Sequence, residues 1–128
     1  MKVLLDTCAF LWIVADAPEL TVAARECFVD PANEVFLSVV SAWEIAVKHA
    51  LGRLPLPHPP ARFVPFERKR HSIEAQPLDE DAALHAARLP SLHRDPFDRM
   101  LVCQAIVQGM VILTPDPEIE QYAVRTLW

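Results

Sequence analysis

Three triplets of uninterrupted apolar residues punctuate the chain, at positions 3–5, 35–37 and 111–113. None shows the in–out alternation of a half-exposed strand. Each therefore predicts a short strand buried on both faces. Two weaker β-like runs, 73–75 and 124–127, stand as further candidates. Between these runs the pattern is helical. Residues 8–15 are apolar all round, and Thr21 is placed to cap a helix to Val29. Ser38 and Ser41 open a helix to Leu51, with Gly52 where a left-handed cap is wanted. The proline-rich stretch 54–60 is too donor-poor for a central strand and connects to a basic amphipathic helix over 61–70. Asp79 caps a helix over 80–89, Asp95-Pro96 starts one that runs to Gln108 before Gly109, and residues 117–122 predict a last short helix. Strands and helices in alternation give an α/β fold, with a central, mostly parallel sheet flanked by helices on both faces. No repeat or linker divides the chain, so residues 1–128 are expected to form one domain.

Composition narrows the chemistry. The 128 residues include only two glycines, Gly52 and Gly109, so no glycine-rich loop is available to cradle a phosphate. The three cysteines, Cys8, Cys27 and Cys103, form no C-x-x-C pair and are expected to be free thiols of a reducing compartment. The longest apolar run, 8–15, is far short of the ~20 residues that a membrane span needs. The opening Lys2-Val-Leu-Leu stops at Asp6, which is too short for a secretory leader. A soluble, cytoplasmic protein without a membrane partner is expected. The net charge of −5 hides an uneven distribution. Between Glu44 and His71 six basic residues stand against two acidic ones, a local +4 that leaves −9 on the rest.

In parallel α/β sheets, chemistry collects beyond the carboxyl ends of the strands. Asp6 follows the first strand, Asp116 follows the strand 111–113, Glu44 lies on the helix after the second strand, and Asp98 lies in the first turn of the helix that leads to 111–113. Four carboxylates brought to one sheet edge repel one another, and a divalent cation is the simplest neutraliser. Oxygen ligands without Cys or His at ligand spacing suit Mg²⁺ or Mn²⁺, ions that polarise phosphoryl oxygens and activate water. Each acid also has a structural reading. Ser41-Ala-Trp-Glu44 fits a capping box, while Asp95-Pro96-Phe97-Asp98 and Asp116-Pro117 fit an N-cap followed by proline. Asp6, closing a buried strand before Thr7, has the weakest such explanation. Spacing leaves both readings open.

As a set, these residues resemble a known family. Leu4-Leu-Asp6-Thr7, Ser41-Ala-Trp-Glu44-Ile, His93-Arg-Asp95-Pro-Phe-Asp98-Arg99-Met-Leu-Val and Leu113-Thr-Pro-Asp116 resemble the blocks of PIN-domain ribonucleases, and more narrowly the VapC toxins of VapBC toxin–antitoxin pairs. The resemblance runs from Val3 to Trp128. It implies a PIN-like fold and an endoribonuclease in which Asp6, Glu44, Asp98 and Asp116 bind Mg²⁺ or Mn²⁺. It also implies a homodimer and a cognate VapB-like antitoxin whose carboxyl-terminal segment covers the site. Asp95 is taken as the helix cap with an accessory role, Thr7 and Ser41 as hydroxyls that hold carboxylates or water, and Arg99 as a partner of a carboxylate or a phosphate. Lys48, Arg53 and the run Arg68-Lys69-Arg70 are the candidates to attract RNA phosphates. Cys8 departs from the pattern, standing where many relatives carry His. His93 is expected to be a hydrogen-bonding loop residue rather than a base. Phe10, Trp12, Phe28 and Trp43 are expected to be mostly core. The rival to an endoribonuclease is a catalytically inactive PIN-like module that binds RNA or protein.

Overall fold

The computed structural model describes residues 1–128. Elements run in the order β1 (Lys2–Leu5), α1 (Thr7–Ala15), α2 (Val22–Val29), β2 (Glu34–Ser38), α3 (Val39–Ala50), α4 (Pro60–Arg70), β3 (Glu74–Gln76), α5 (Glu80–His85), α6 (Pro96–Gln108), β4 (Val111–Leu113), α7 (Pro117–Glu120) and β5 (Thr126–Leu127). The five strands form one sheet in the order β3-β2-β1-β4-β5, and every pairing is parallel. Successive strands step outward from β1 to β2 and β3, and the chain then returns to the other side of β1 for β4 and β5. The β1/β4 seam is thus where the strand order reverses, the place at which α/β sheets open a crevice.

The apolar triplets explain both layers. Val3 and Leu5 on β1, with Val35, Leu37 and Leu113, face a core completed by α1, α2 and α4 through Phe10, Ile13, Ala24 and Phe63. Leu4 and Ile112 point the opposite way, into a second core with Leu101, Val102 and Ala105 of α6 and Ile119 beyond β4. A strand whose every side chain meets a packed layer has no position for a polar residue, which is why β1 and β4 read as continuous apolar runs.

Caps fix where the helices begin. The Thr21 side chain accepts from Ala24 N, and that of Asp79 from Ala82 N. Asp95 Oδ1 accepts from the backbone of Phe97 and Asp98. Gly52 and Gly109 take φ of +70° and +66°, the left-handed conformation expected of glycines that stop helices. Three expected elements are shorter than predicted. The helix expected over 117–122 ends at Glu120. The helix expected over 80–89 keeps α-helical bonding only to His85, after which Ala87, Arg88 and Leu89 donate to carbonyls three residues back. Pro90 disfavours the helical conformation just before it, and the Ala86 and Leu89 carbonyls accept instead from Arg99. The terminal strand expected over 124–127 pairs only at Thr126 and Leu127.

One buried polar bridge ties α3 to α6. Ser38 Oγ accepts from Val40 N to start α3 and lies 2.5 Å from Gln104 Oε1, while Gln104 Nε2 donates to Pro77 O. Both side chains are buried, so every donor and acceptor here has to be matched inside the protein. Gln104→Leu keeps the volume but strands the Ser38 hydroxyl and the Pro77 carbonyl. It is expected to destabilise the fold by about 2 kcal/mol, read by urea denaturation.

Candidate active site

Asp6 follows β1 directly, and its backbone N–H extends the β1/β4 ladder by donating to Leu113 O. It occupies the N-cap position of α1, yet its carboxylate makes no capping bond. Instead Oδ2 accepts from Thr114 Oγ1 at 2.7 Å and from the Cys8 thiol at 3.4 Å. Glu44 arrives on α3. The capping-box reading of Ser41 and Glu44 fails, because Ser38 is the cap and Glu44 points back across the sheet edge. Its Oε1 accepts from Thr7 Oγ1 at 2.7 Å, the Thr7 oxygen lies 2.9 Å from Ser41 Oγ, and Oε2 is ion-paired with Lys48 one turn along the helix. Asp98, in the first turn of α6, accepts from His93 Nε2 at 3.0 Å. Asp116 keeps the capping role its spacing suggested, accepting from Glu118 N, while its own N–H donates to Thr114 Oγ1.

These groups meet in a pocket of about 350 Å³ beyond the β1/β4 seam, lined by Asp6, Glu44, Asp95, Asp98 and Asp116 with Lys48 and Arg53. Five carboxylates against two cations leave an electronegative floor. Burial lifts the Asp6 carboxyl above its ordinary range, against the pull of the Thr114 and Cys8 hydrogen bonds. Burial pushes Asp98 up to about 7, again first by desolvation, with the neighbouring Asp6, Asp95 and Glu44 charges adding to it. His93 is raised by its hydrogen bond to Asp98, and Lys48 by its bond to Glu44. Burial, and then the charge of Asp6, hold the Cys8 thiol far above the ordinary range. It is a protonated donor to Asp6 and no nucleophile.

A divalent cation fits this donor set. Asp6 and Asp98 are buried carboxylates with no basic side chain on Asp6 and only His93 on Asp98, and no side chain donates to Oδ1 of either. The tightest trio of possible ligand atoms is His93, Asp98 and Asp116, within 4.8 Å of one another. Asp6 and Glu44 line the same pocket outside that trio. His93, expected only as a loop residue, thus stands among the carboxylates. Thr114 was not singled out from sequence at all, although its hydroxyl joins Asp6 to the Asp116 backbone. Its signal is the Thr-Pro-Asp turn that ends β4.

The remaining candidates divide. Asp95 caps α6, as expected, and also borders the pocket. Arg99 meets neither a carboxylate nor the pocket. Its guanidinium donates to Pro90 O at 2.8 Å and to Tyr122 Oη at 3.2 Å, and Tyr122 Oη also accepts from His93 N. It is a clamp on the loop that carries His93. Of the basic candidates, Lys48 and Arg53 border the pocket. Arg68, Lys69 and Arg70 do not: they end α4 just before β3 begins, at the amino-terminal edge of the sheet, opposite the acids. The aromatic expectation holds for Phe10, which is fully buried against Phe63. It fails for Trp43, which is 61% exposed and meets Phe97 edge-on.

Residues 3–125 match the PIN domain family model. The chain belongs to the PIN-domain family. This PIN domain is 40% identical over 79 residues to Ribonuclease VapC16 of Mycobacterium tuberculosis, a match covering 62% of this chain and 52% of that protein. It thus spans about half the length of the curated relative it matches. Its fold is similar to a chain of the Rickettsia felis VapBC2 complex with promoter DNA, at a TM-score of 0.75 and 11% identity over 99% of this chain and 98% of that one. A chain of DNA-bound VapBC from Salmonella typhimurium gives a TM-score of 0.70 and 23% identity, covering 99% and 97%.

The raised Asp98 has a consequence for stability. Its carboxyl titrates near 4 when unfolded and about 7 when folded, so the folded metal-free chain holds the extra proton between those values. That contribution is complete below about pH 4, falls as pH rises, and is gone above about 7; the raised His93 acts in the same direction. Asp98→Asn carries no such proton. Its stability relative to wild type is expected to improve from pH 5 to pH 8, measured by urea denaturation in chelator.

Proposed function

We propose that this chain is a metal-dependent endoribonuclease toxin, held in check by a VapB-like antitoxin and acting in the cytoplasm. The observation that carries this reading is the meeting of Asp6, Glu44, Asp98 and Asp116, from four separate segments, in one pocket at the switch point of the sheet. Membership of the PIN-domain family and the likeness to a VapC ribonuclease support it. Asp6, Glu44, Asp98 and Asp116 would hold Mg²⁺ or Mn²⁺, with His93 beside Asp98 and Asp116. Bound there, the ion supplies polarisation of a phosphoryl oxygen and a water of lowered pKa.

The chain's own groups have the following tasks. Thr114 and Cys8 hold Asp6 by one oxygen, His93 holds Asp98 by one oxygen, and Thr7 with Ser41 holds Glu44. Fixing one oxygen of Asp6 and one of Asp98 leaves the other oxygen of each for the ion, without reorganisation during reaction. Asp95 and the Arg99 clamp set the first turn of α6 and the His93 loop. Lys48 and Arg53 are the cations in place to meet RNA phosphates, and cleavage is expected to leave a 5′-phosphate and a 3′-hydroxyl. Arg68, Lys69 and Arg70 are left with, at most, a long-range pull on RNA. The homodimer has a surface to rest on: Val39, Trp43, Ala46 and Ala50 form an exposed apolar stripe at helical spacing along α3.

Growth arrest on expression and Mn²⁺-dependent cleavage of cellular RNA are to be compared between wild type, Asp6→Asn and Asp98→Asn. Both variants are expected to lose cleavage by about 100-fold or more, along with toxicity. Undiminished cutting by both sinks the metal-site assignment, and arrest by a wild type that never cuts favours the binding module. Binding of labelled RNA by a cleavage-dead Asp6→Asn chain is expected to weaken steeply between about 50 and 200 mM salt. Arg53→Ala is expected to make that salt dependence shallower. An affinity indifferent to salt removes Lys48 and Arg53 from the RNA-binding role.

A further inference from the structure

Glu44 is the one pocket carboxylate with a partner on each oxygen. Oε1 accepts from Thr7, whose hydroxyl is tied to Ser41 in a buried trio, and Oε2 faces the Lys48 ammonium. The two partners differ in freedom. Thr7 and Ser41 are buried at the starts of α1 and α3, whereas the Lys48 side chain is 45% exposed on a long flexible stem. Lys48 also borders the space shared by Asp6, Asp98 and Asp116. It is the only cationic side chain that touches a carboxylate other than through His93 in that space. A divalent ion drawn to Glu44 from the pocket therefore meets an ammonium already seated on the outward oxygen. Two cations in contact with one oxygen of the buried Glu44 carboxylate repel each other.

We propose that Lys48 is a built-in counter-cation that holds Glu44 in the metal-free protein and is displaced when a divalent ion takes that carboxylate. The inference rests on the reading of the pocket as a metal centre. Lys48 then has two positions. In the empty pocket it offsets the buried Glu44 charge, which otherwise has only a hydroxyl for company. In the loaded pocket its ammonium is set free at the wall it shares with Arg53, so the site presents a second mobile cation only once the metal is in place. A lysine serving only to brace Glu44 makes the opposite prediction, because its loss would loosen a ligand and weaken metal binding.

Mn²⁺ binding to the full, chelator-stripped chain is to be measured by electron paramagnetic resonance of the free ion, for wild type, Lys48→Met and Lys48→Arg. Lys48→Met keeps much of the stem and removes the competing charge. It is expected to bind Mn²⁺ about 3- to 10-fold more tightly, with Lys48→Arg within about twofold of wild type. Unchanged or weaker binding by Lys48→Met, with wild type binding normally, overturns the displacement alone. A wild type that takes up no Mn²⁺ overturns the metal-centre reading and this inference together. A second measurement needs no variant: acetylation of wild type by acetic anhydride, mapped by mass spectrometry with and without saturating Mn²⁺. Lys48 is expected to react at least about threefold faster with the ion present, with exposed Lys2 and Lys69 unchanged as references. Equal or slower reaction of Lys48 overturns the proposal.

Discussion

Carboxylates gathered at the β1/β4 seam repel one another and lose water as they are buried, and much of the surrounding structure offsets those two costs. Asp6, Glu44 and Asp98 are each at most 9% exposed. Left unpartnered, such groups would open the sheet edge or protonate. Each is given donors from a different element: Thr114 after β4 for Asp6, Thr7 at the start of α1 for Glu44, and His93 from the loop before α6 for Asp98. No buried polar side-chain atom is left without a partner. Hydrogen bonding holds at least one oxygen of each carboxylate, but it does not remove the summed negative charge. The upward shifts of Asp6 and Asp98 are what remains of that cost.

Much of this order was legible in the sequence because it follows from strong local rules. Continuous apolar triplets marked β1, β2 and β4, and caps such as Thr21, Asp79 and Asp95 marked helix starts to within a residue. What failed depended on partners distant in sequence. Helix α5 ends early because Pro90 and an arginine ten or more residues ahead, Arg99, take over its last turn. β5 is short because pairing, and not its apolar content, decides where a strand begins. Arg99 itself was expected at a carboxylate or phosphate. Its role as a backbone clamp needs the loop before α6 to fold over the guanidinium, which no spacing rule encodes.

The same division runs through the pocket. Asp6, Glu44, Asp98 and Asp116 were legible because strand ends and first helical turns are positions that topology brings together. Glu44 as a capping-box acid was the plausible local alternative, and it lost to long-range geometry: Ser38 starts α3 three residues earlier than the Ser41 reading requires, leaving Glu44 in the second turn and bonded to Thr7. Thr114 carries no such signal, because a threonine before proline ordinarily marks only a turn. Cys8 was legible only as a departure from the resemblance, with no role attached: its half-buried thiol, beside Asp6, stays protonated and donates a hydrogen bond to that carboxylate.

The charge map joins these points to the proposed activity. A chain with a net charge of −5 is a poor general ligand for RNA, and its strongest basic run, Arg68 to Arg70, lies at the far edge of the sheet from the acids. At the pocket only Lys48 and Arg53 carry positive charge, and Lys48 is engaged with Glu44. An RNA phosphate approaching the metal-free pocket meets an excess of carboxylates and one unengaged cation. A bound divalent ion weakens that repulsion by cancelling two negative charges, and on the proposed reading it also frees Lys48. Catalytic competence then depends on that ion, and the chain is expected to hold RNA more tightly with it than without it.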